Sequence, residues 1–185
     1  MIFSGRSIPD PVELPAMKVA GNIFLVGLMG AGKTTVGKLL ARMLNKTFYD
    51  SDQEVERKTG VNIPLIFELE GESGFRRREA QAIAELAEMQ EVVVATGGGA
   101  ILLQENRQIL SNRGKVIYLR ASVDELFQRT RGDRNRPLLQ TENPRERLRE
   151  LYAQRDPLYR EVATLVIDTG GQPVNSIVSE IVNNL

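Results

Sequence analysis

The densest chemistry in the chain lies in eight consecutive residues, Gly27-Leu28-Met29-Gly30-Ala31-Gly32-Lys33-Thr34. Their spacing matches G-x-x-x-x-G-K-[ST], a loop whose glycines let successive backbone N–H groups turn toward phosphate oxygens. A helix opening directly after such a loop adds the partial positive charge of its N-terminus. Gly30, Ala31 and Gly32 would form the cradle, with Thr35 following on the helix. Lys33 would reach the β- and γ-phosphates, and the Thr34 hydroxyl suits magnesium. The expected ligand is a nucleoside triphosphate with Mg2+, and the expected class is a small-molecule kinase.

Other reactive groups recur at strand ends. Asp50-Ser51-Asp52 places two carboxylates where a strand gives way to a helix. One carboxylate there can hold magnesium through its water shell, and the other can orient or deprotonate a hydroxyl. Plain helix capping also accounts for them, since acidic residues suit helix N-termini. Arg76-Arg77-Arg78 follows Phe75, and neighbours on a helix diverge by about 100°, so at most one or two of the three face any single site. Thr96-Gly97-Gly98-Gly99 suggests close approach of backbone to a ligand, or simply a generous turn. From Arg129 to Arg155 there are eight arginines and no lysine, which suits planar recognition of phosphate or carboxylate.

What is missing narrows the chemistry further. The 185 residues contain no histidine and no cysteine, so acid–base work falls to Asp, Glu, Lys or Tyr, and disulfides are excluded. Absence of cysteine fits a cytoplasmic enzyme. A formal net charge of zero argues against a nucleic-acid partner. No stretch reaches the 18 consecutive apolar residues expected of a membrane helix. A GTPase would carry a guanine-reading Asn-Lys-x-Asp segment, and the chain has none.

Alternating apolar runs and helical patterns predict an α/β domain with a mainly parallel sheet. The expected strands are Asn22–Val26, Thr47–Tyr49, Val92–Ala95, Val116–Leu119 and Leu165–Ile167. Helices are expected over Lys33–Leu44 and over Arg77–Met89, the latter with Ala80, Ile83, Leu86 and Ala87 on one face. Ser51 with Glu54 and Ser122 with Glu125 have capping-box spacing, and Asn143-Pro144 with Glu146 gives a cap, an opening proline and a Glu. Gln172-Pro173 is expected to open the last helix in the same way, and Arg155–Tyr159 to end the preceding one. Residues 132–142 lack periodicity and read as a mobile loop. Residues 1–17, with Pro9, Pro11 and Pro15, read as a flexible tail before one domain spanning 18–185; Met17 is an alternative start.

Taken in order, these segments resemble shikimate kinase from about Asn22 to the C-terminus. The resemblance rests on Gly27–Thr34, Asp50-Ser51-Asp52, Phe75-Arg76 with Glu79, Gly97-Gly98-Gly99, Arg136-Pro137-Leu138-Leu139 and Arg155-Asp156-Pro157-Leu158-Tyr159. It implies the three-layer P-loop kinase fold, with five parallel strands, helices on both faces and a lid at about 132–142. It implies transfer of phosphate from ATP, with magnesium, to the 3-hydroxyl of shikimate. Lys33, Asp52 and Arg136 would then be catalytic. Arg76 and Arg155 would hold the substrate carboxylate, with Glu79 steadying Arg76 and Gly97, Gly98 and Gly99 beside the ring hydroxyls. Phe67 and Phe75 would line the acceptor pocket. Arg129 and Gln172 would serve the adenine, and Asp50 would assist magnesium beside Thr34. The implied enzyme is a cytoplasmic monomer. A gluconate or nucleoside monophosphate kinase, or a non-catalytic nucleotide-binding module, are the alternatives.

Overall fold

The computed structural model describes residues 19–133 and 135–185; the expected tail 1–17, with Met17, lies outside the described residues. Five strands, β1 (Asn22–Val26), β2 (Thr47–Asp50), β3 (Val92–Ala95), β4 (Gly114–Arg120) and β5 (Leu165–Asp168), form one parallel sheet in the order β2-β3-β1-β4-β5. The central strands are apolar on both faces, and every residue of β1 and β3 is buried. That is the pattern of parallel strands covered by helices on each side. Their register sets Phe24 against Val94 on one side and Val116 on the other.

Among the described residues seven helices follow the strands: α1 (Lys33–Met43), α2 (Ser51–Thr59), α3 (Ile63–Glu88), α4 (Gln104–Arg113), α5 (Val123–Thr130), α6 (Pro144–Val162) and α7 (Val174–Asn183). α1 packs with α7, whereas α4 packs with both α3 and α6. Right-handed crossovers put these two groups on opposite faces, because the α1 connection runs toward the β2 edge and the others run the opposite way. β1 therefore leads to one face and its neighbour β3 to the other. Between them the chain diverges and opens a crevice at the carboxyl ends of the strands, where ligands bind in such sheets. The loops bordering it are Gly27–Gly32 and Thr96–Gly99.

Several local expectations change. α2 is capped by Asp50, whose carboxylate accepts from the Asp52 and Gln53 N–H groups, so Ser51 with Glu54 is not a capping box. The box at Ser122 and Glu125 is present in both directions. α3 begins at Ile63, well before Arg77, because Asn62 caps it and Pro64 stands in its first turn; Gly71 breaks it at φ 69°. α6 runs through Pro157 to Val162 where the Arg155–Tyr159 run was expected to end it. Apolar burial of Tyr159 and Val162 outweighs the one lost backbone bond. Pro173 caps α7 without a side-chain bond, and Gln172 Nε2 instead donates to the Asp168 carbonyl. Within residues 132–142 a 3₁₀ turn, Pro137–Leu139, buries Leu139.

Candidate active site

One wall of the crevice is the loop after β1. Gly27, Gly30 and Gly32 all have positive φ, and a Cβ on Gly27 would meet the Leu119 carbonyl at 2.4 Å. Gly32 is the N-cap of α1 and no side chain caps that terminus, which leaves its N–H groups directed at the crevice. Lys33 is nearly buried, and its Nζ donates to the Gly27 and Leu28 carbonyls at 2.7 and 2.9 Å. Burial, with Arg136 nearby, lowers its pKa to about 8. The amine is thus held folded back over its own loop, a cation whose carbonyl partners phosphate oxygens can replace.

The Thr34 hydroxyl donates to Asp50 Oδ2 at 2.7 Å. The other Asp50 oxygen caps α2, so a single carboxylate ties α1 to α2. Among the described residues no three His, Cys, Asp or Glu side chains gather around one point. A hydroxyl and one carboxylate beside a phosphate cradle fit magnesium, which keeps waters and shares the nucleotide's oxygens.

Opposite lies a more enclosed set. Glu79 is fully buried, and its Oε2 accepts from Arg76 at 2.7 Å. Arg76 also donates to Glu72, while its guanidinium carbon lies 5.2 Å from the centre of the Phe75 ring. Arg77 and Arg78 are exposed, and Arg78 pairs with Glu70. Only the first member of that arginine run enters the site. Phe75 packs on Phe67 at 5.0 Å, and both line the cleft.

Asp52 stands between the two walls, with Oδ1 enclosed and without a hydrogen-bond partner among the described residues. Burial, then the charges of Glu79 and Asp50, push its pKa up to about 7. Asp52 Oδ1 and Glu79 Oε1 lie 2.7 and 2.2 Å from the point where a Cβ on Gly97 would sit. Any side chain at Gly97 would therefore displace one of the two carboxylates. Gly99 is equally confined, since its Cβ would meet the Arg76 guanidinium at 2.2 Å. The missing side chains make room for functional groups, which distinguishes the triple glycine from a merely permissive turn. Arg155 reaches the same loop from α6; it is 2% exposed, and its Nε and one terminal nitrogen have no partner among the described residues.

A cleft of about 630 Å³ joins both walls. It brings together Gly30, Gly32, Lys33, Thr34, Thr35, Asp50, Asp52, Arg76, Glu79, Gly97, Gly98, Gly99, Arg136 and Arg155. Arg136 enters from the 132–142 segment, its Nε donating to Asp133 at 3.1 Å. Ala31 is buried beneath the loop. Arg129 and Gln172 are not part of this cleft. Arg129 bonds the Gly30 carbonyl and both the hydroxyl and carbonyl of Thr169, joining the phosphate loop to the loop after β5. Sequence reasoning missed two hydroxyls: Ser51, which accepts from Gly97 N–H, and Tyr159, which donates to the Gly98 carbonyl. Tyr159 had a signal, its position four residues after Arg155 on one helix face. Ser51 had none beyond its neighbours.

Cationic, phosphate-directed groups on one wall and a buried carboxylate with arginines on the other are what a P-loop kinase acting on a small anionic, hydroxylated acceptor requires. The shikimate kinase family model matches residues 29–185, and this chain belongs to that family. A shikimate kinase of Chromobacterium violaceum is 58% identical over 93% of this chain and 94% of its own length. One of Nitrosospira multiformis is 63% identical over 81% of this chain and 77% of its own. The solved structure of shikimate kinase from Acinetobacter baumannii in complex with shikimate superposes with a TM-score of 0.89, at 52% identity, covering 91% of this chain and 94% of that one.

Proposed function

We propose that the chain transfers the γ-phosphoryl group of ATP to the 3-hydroxyl of shikimate, yielding shikimate 3-phosphate and ADP. The observation that carries the acceptor is Arg155, a buried guanidinium with unmatched N–H groups facing the cleft beside Asp52 and Gly98. A cation so placed calls for an anion, and the planar fork of arginine fits a carboxylate. Arg76, fixed by Glu79, supplies a second fork on the same side. Gluconate also carries a carboxylate, but the packed rings of Phe67 and Phe75 on the acceptor wall give a flat apolar edge that suits the face of a cyclic acceptor better than an extended polyol.

Lys33 and the N–H groups of Gly30–Thr35 bind the phosphates and hold them in line with the acceptor hydroxyl. Thr34 and Asp50 would hold the Mg2+ ion, which when bound offsets charge on the β- and γ-phosphate oxygens. Asp52 orients the hydroxyl and takes its proton, and a carboxylate whose pKa stands near 7 suits that task at neutral pH. Arg136, on the 132–142 segment, closes over the phosphates as a lid and excludes water that would otherwise compete with the acceptor. Arg129 and the loop around Thr169–Gln172 receive the adenine. We place the enzyme, as a monomer, in the cytoplasm with its ATP supply.

The test is ADP release by the purified chain with shikimate, gluconate and nucleoside monophosphates offered separately. Turnover with shikimate alone is expected; equal turnover with gluconate would overturn the acceptor assignment.

A further inference from the structure

Tyr159 is deeply buried, at 1% exposure, and carries a hydroxyl the phosphoryl transfer does not consume. That hydroxyl donates to the Gly98 carbonyl at 2.5 Å. The ring packs on Tyr118 with centroids 4.9 Å apart, and the Tyr118 hydroxyl in turn donates to Asp156 at 2.8 Å. The aromatic pair fixes the ring, so the hydroxyl has little freedom to turn elsewhere. Burial holds the Tyr159 phenol well above its ordinary pKa, outweighing the opposing charge of Arg155, so it remains a proton donor.

Arg155 and Tyr159 stand four residues apart on α6 and so share a face. Both end at Gly98: a terminal nitrogen of Arg155 lies 3.6 Å from where a Cβ on Gly98 would sit. On the other side of the same loop, the fully buried Ser51 hydroxyl accepts from Gly97 N–H at 2.9 Å. Three successive glycines have the widest choice of backbone orientation of any run of residues. Here one buried hydroxyl takes hold of an N–H and another of a carbonyl, on consecutive residues. Only the conformation that satisfies both leaves neither buried group unpaired.

We propose that Tyr159 is a positioning residue for the acceptor side of the site, its hydroxyl setting the Gly98 backbone against which the acceptor's hydroxyls and the Arg155 guanidinium are aligned, with Ser51 as the opposing clamp. The proposal rests on the shikimate reading above. It assigns a function to the tyrosine of the Arg155–Tyr159 run that neither charge nor packing requires, since a phenylalanine would fill the same space.

Tyr159→Phe keeps the ring and its contact with Tyr118 while removing the single donor. Steady-state kinetics with shikimate and ATP varied in turn should show the KM for shikimate raised about tenfold. The KM for ATP should stay within about twofold, because the phosphate loop is anchored by other groups. Ser51→Ala reaches the same loop from the opposite side and should give the same split, whatever Tyr159→Phe does to folding. The two effects should be less than multiplicative when combined, as both act on one loop. Wild-type KM for shikimate in both variants, or equal rises for the two substrates, would overturn the positioning role while leaving the shikimate reading intact. Absence of shikimate-dependent turnover in the unaltered chain would overturn the reading and the inference together.

Discussion

At the scale of single residues, the site is governed by which charges are kept from water and which are left to meet a ligand. Asp52 has its pKa pushed up to about 7, and Lys33 has its own lowered to about 8, in each case with burial as the first cause. Below about pH 7 Asp52 carries a proton and cannot accept another from the acceptor. Above about pH 8 Lys33 is neutral and loses its hold on phosphate. The kcat/KM for ATP at low fixed shikimate, which reports the unliganded enzyme, should therefore trace a bell with limbs near these values. Asp52→Asn should reduce turnover by about a hundredfold or more with ATP affinity near normal, the usual range for a lost acid–base group. Lys33→Arg should remove the alkaline limb from whatever activity remains, because a guanidinium keeps its proton there. A flat profile in the unaltered enzyme would contradict both assignments. Gly99 adds a steric case: an alanine there would place Cβ 2.2 Å from the Arg76 guanidinium, which is the movable end of a long side chain. Gly99→Ala should thus displace Arg76, raise the KM for shikimate several-fold and, by leaving the buried Glu79 carboxylate without its partner, lower the thermal midpoint as well. A lower midpoint with unchanged KM would show that the backbone, and not Arg76, had yielded.

At the scale of elements, the site depends on where helices begin and bend. Gly71 sits inside α3 at φ 69° and ψ −179°, a combination open essentially to glycine alone. It separates the turns carrying Ile66 and Phe67 from those carrying Phe75, Arg76 and Glu79, and the Glu70–Arg78 pair spans the break. A Cβ at Gly71 would meet nothing within 4 Å, so conformational strain is the only cost of adding one. Gly71→Ala should cost about 1–3 kcal/mol, lowering the thermal midpoint by roughly 2–12 °C for a chain of this size. An unchanged midpoint would mean that the bend is not enforced by this residue. The same helix marks the limit of what the sequence disclosed. Its second half was legible because Ile83, Leu86 and Ala87 repeat on one face; its first half, interrupted by glycines and glutamates, shows no such stripe. The five strands were legible as short apolar runs, though β4 extends beyond its apolar centre to Gly114 and Arg120, where pairing with β1 and β5 dictates the ends. Asp50 as the cap of α2 was one of two open readings, because plain capping accounts for it while Ser51 and Glu54 offer an equally good local pattern. Only the tertiary pull of Gly97 on the Ser51 hydroxyl decides against it.

At the scale of the whole molecule, the proposed functional groups come from both faces of one sheet and are assembled at its carboxyl edge. Lys33 and Thr34 arrive from α1, Asp52 from α2, Arg76 and Glu79 from α3, and Arg155 from α6, with Gly97–Gly99 between them. The identities of these residues were legible along the chain, and their convergence followed from strand order. Their pairings, Glu79 with Arg76 and Asp50 beside Thr34, came only through the family resemblance, because residue types and spacing alone do not give partners that packing selects. Since the acceptor wall joins α2, α3, β3 and α6, a ligand that fills it links elements from distant parts of the sequence and binds only the folded state. Shikimate at about 100 times its Kd should therefore stabilise the fold by about 2.7 kcal/mol, a rise of roughly 5–11 °C in the thermal midpoint. Arg155→Ala removes the buried cation proposed to meet the carboxylate and should abolish most of that rise at the same shikimate concentration. The stabilisation by a non-hydrolysable ATP analogue with magnesium should persist in the variant, because the phosphate wall is untouched. Gluconate, which presents a carboxylate without the ring, should give a much smaller shift. A shikimate shift that survives Arg155→Ala in full would place the carboxylate elsewhere, and loss of the nucleotide shift as well would indicate damage to the fold.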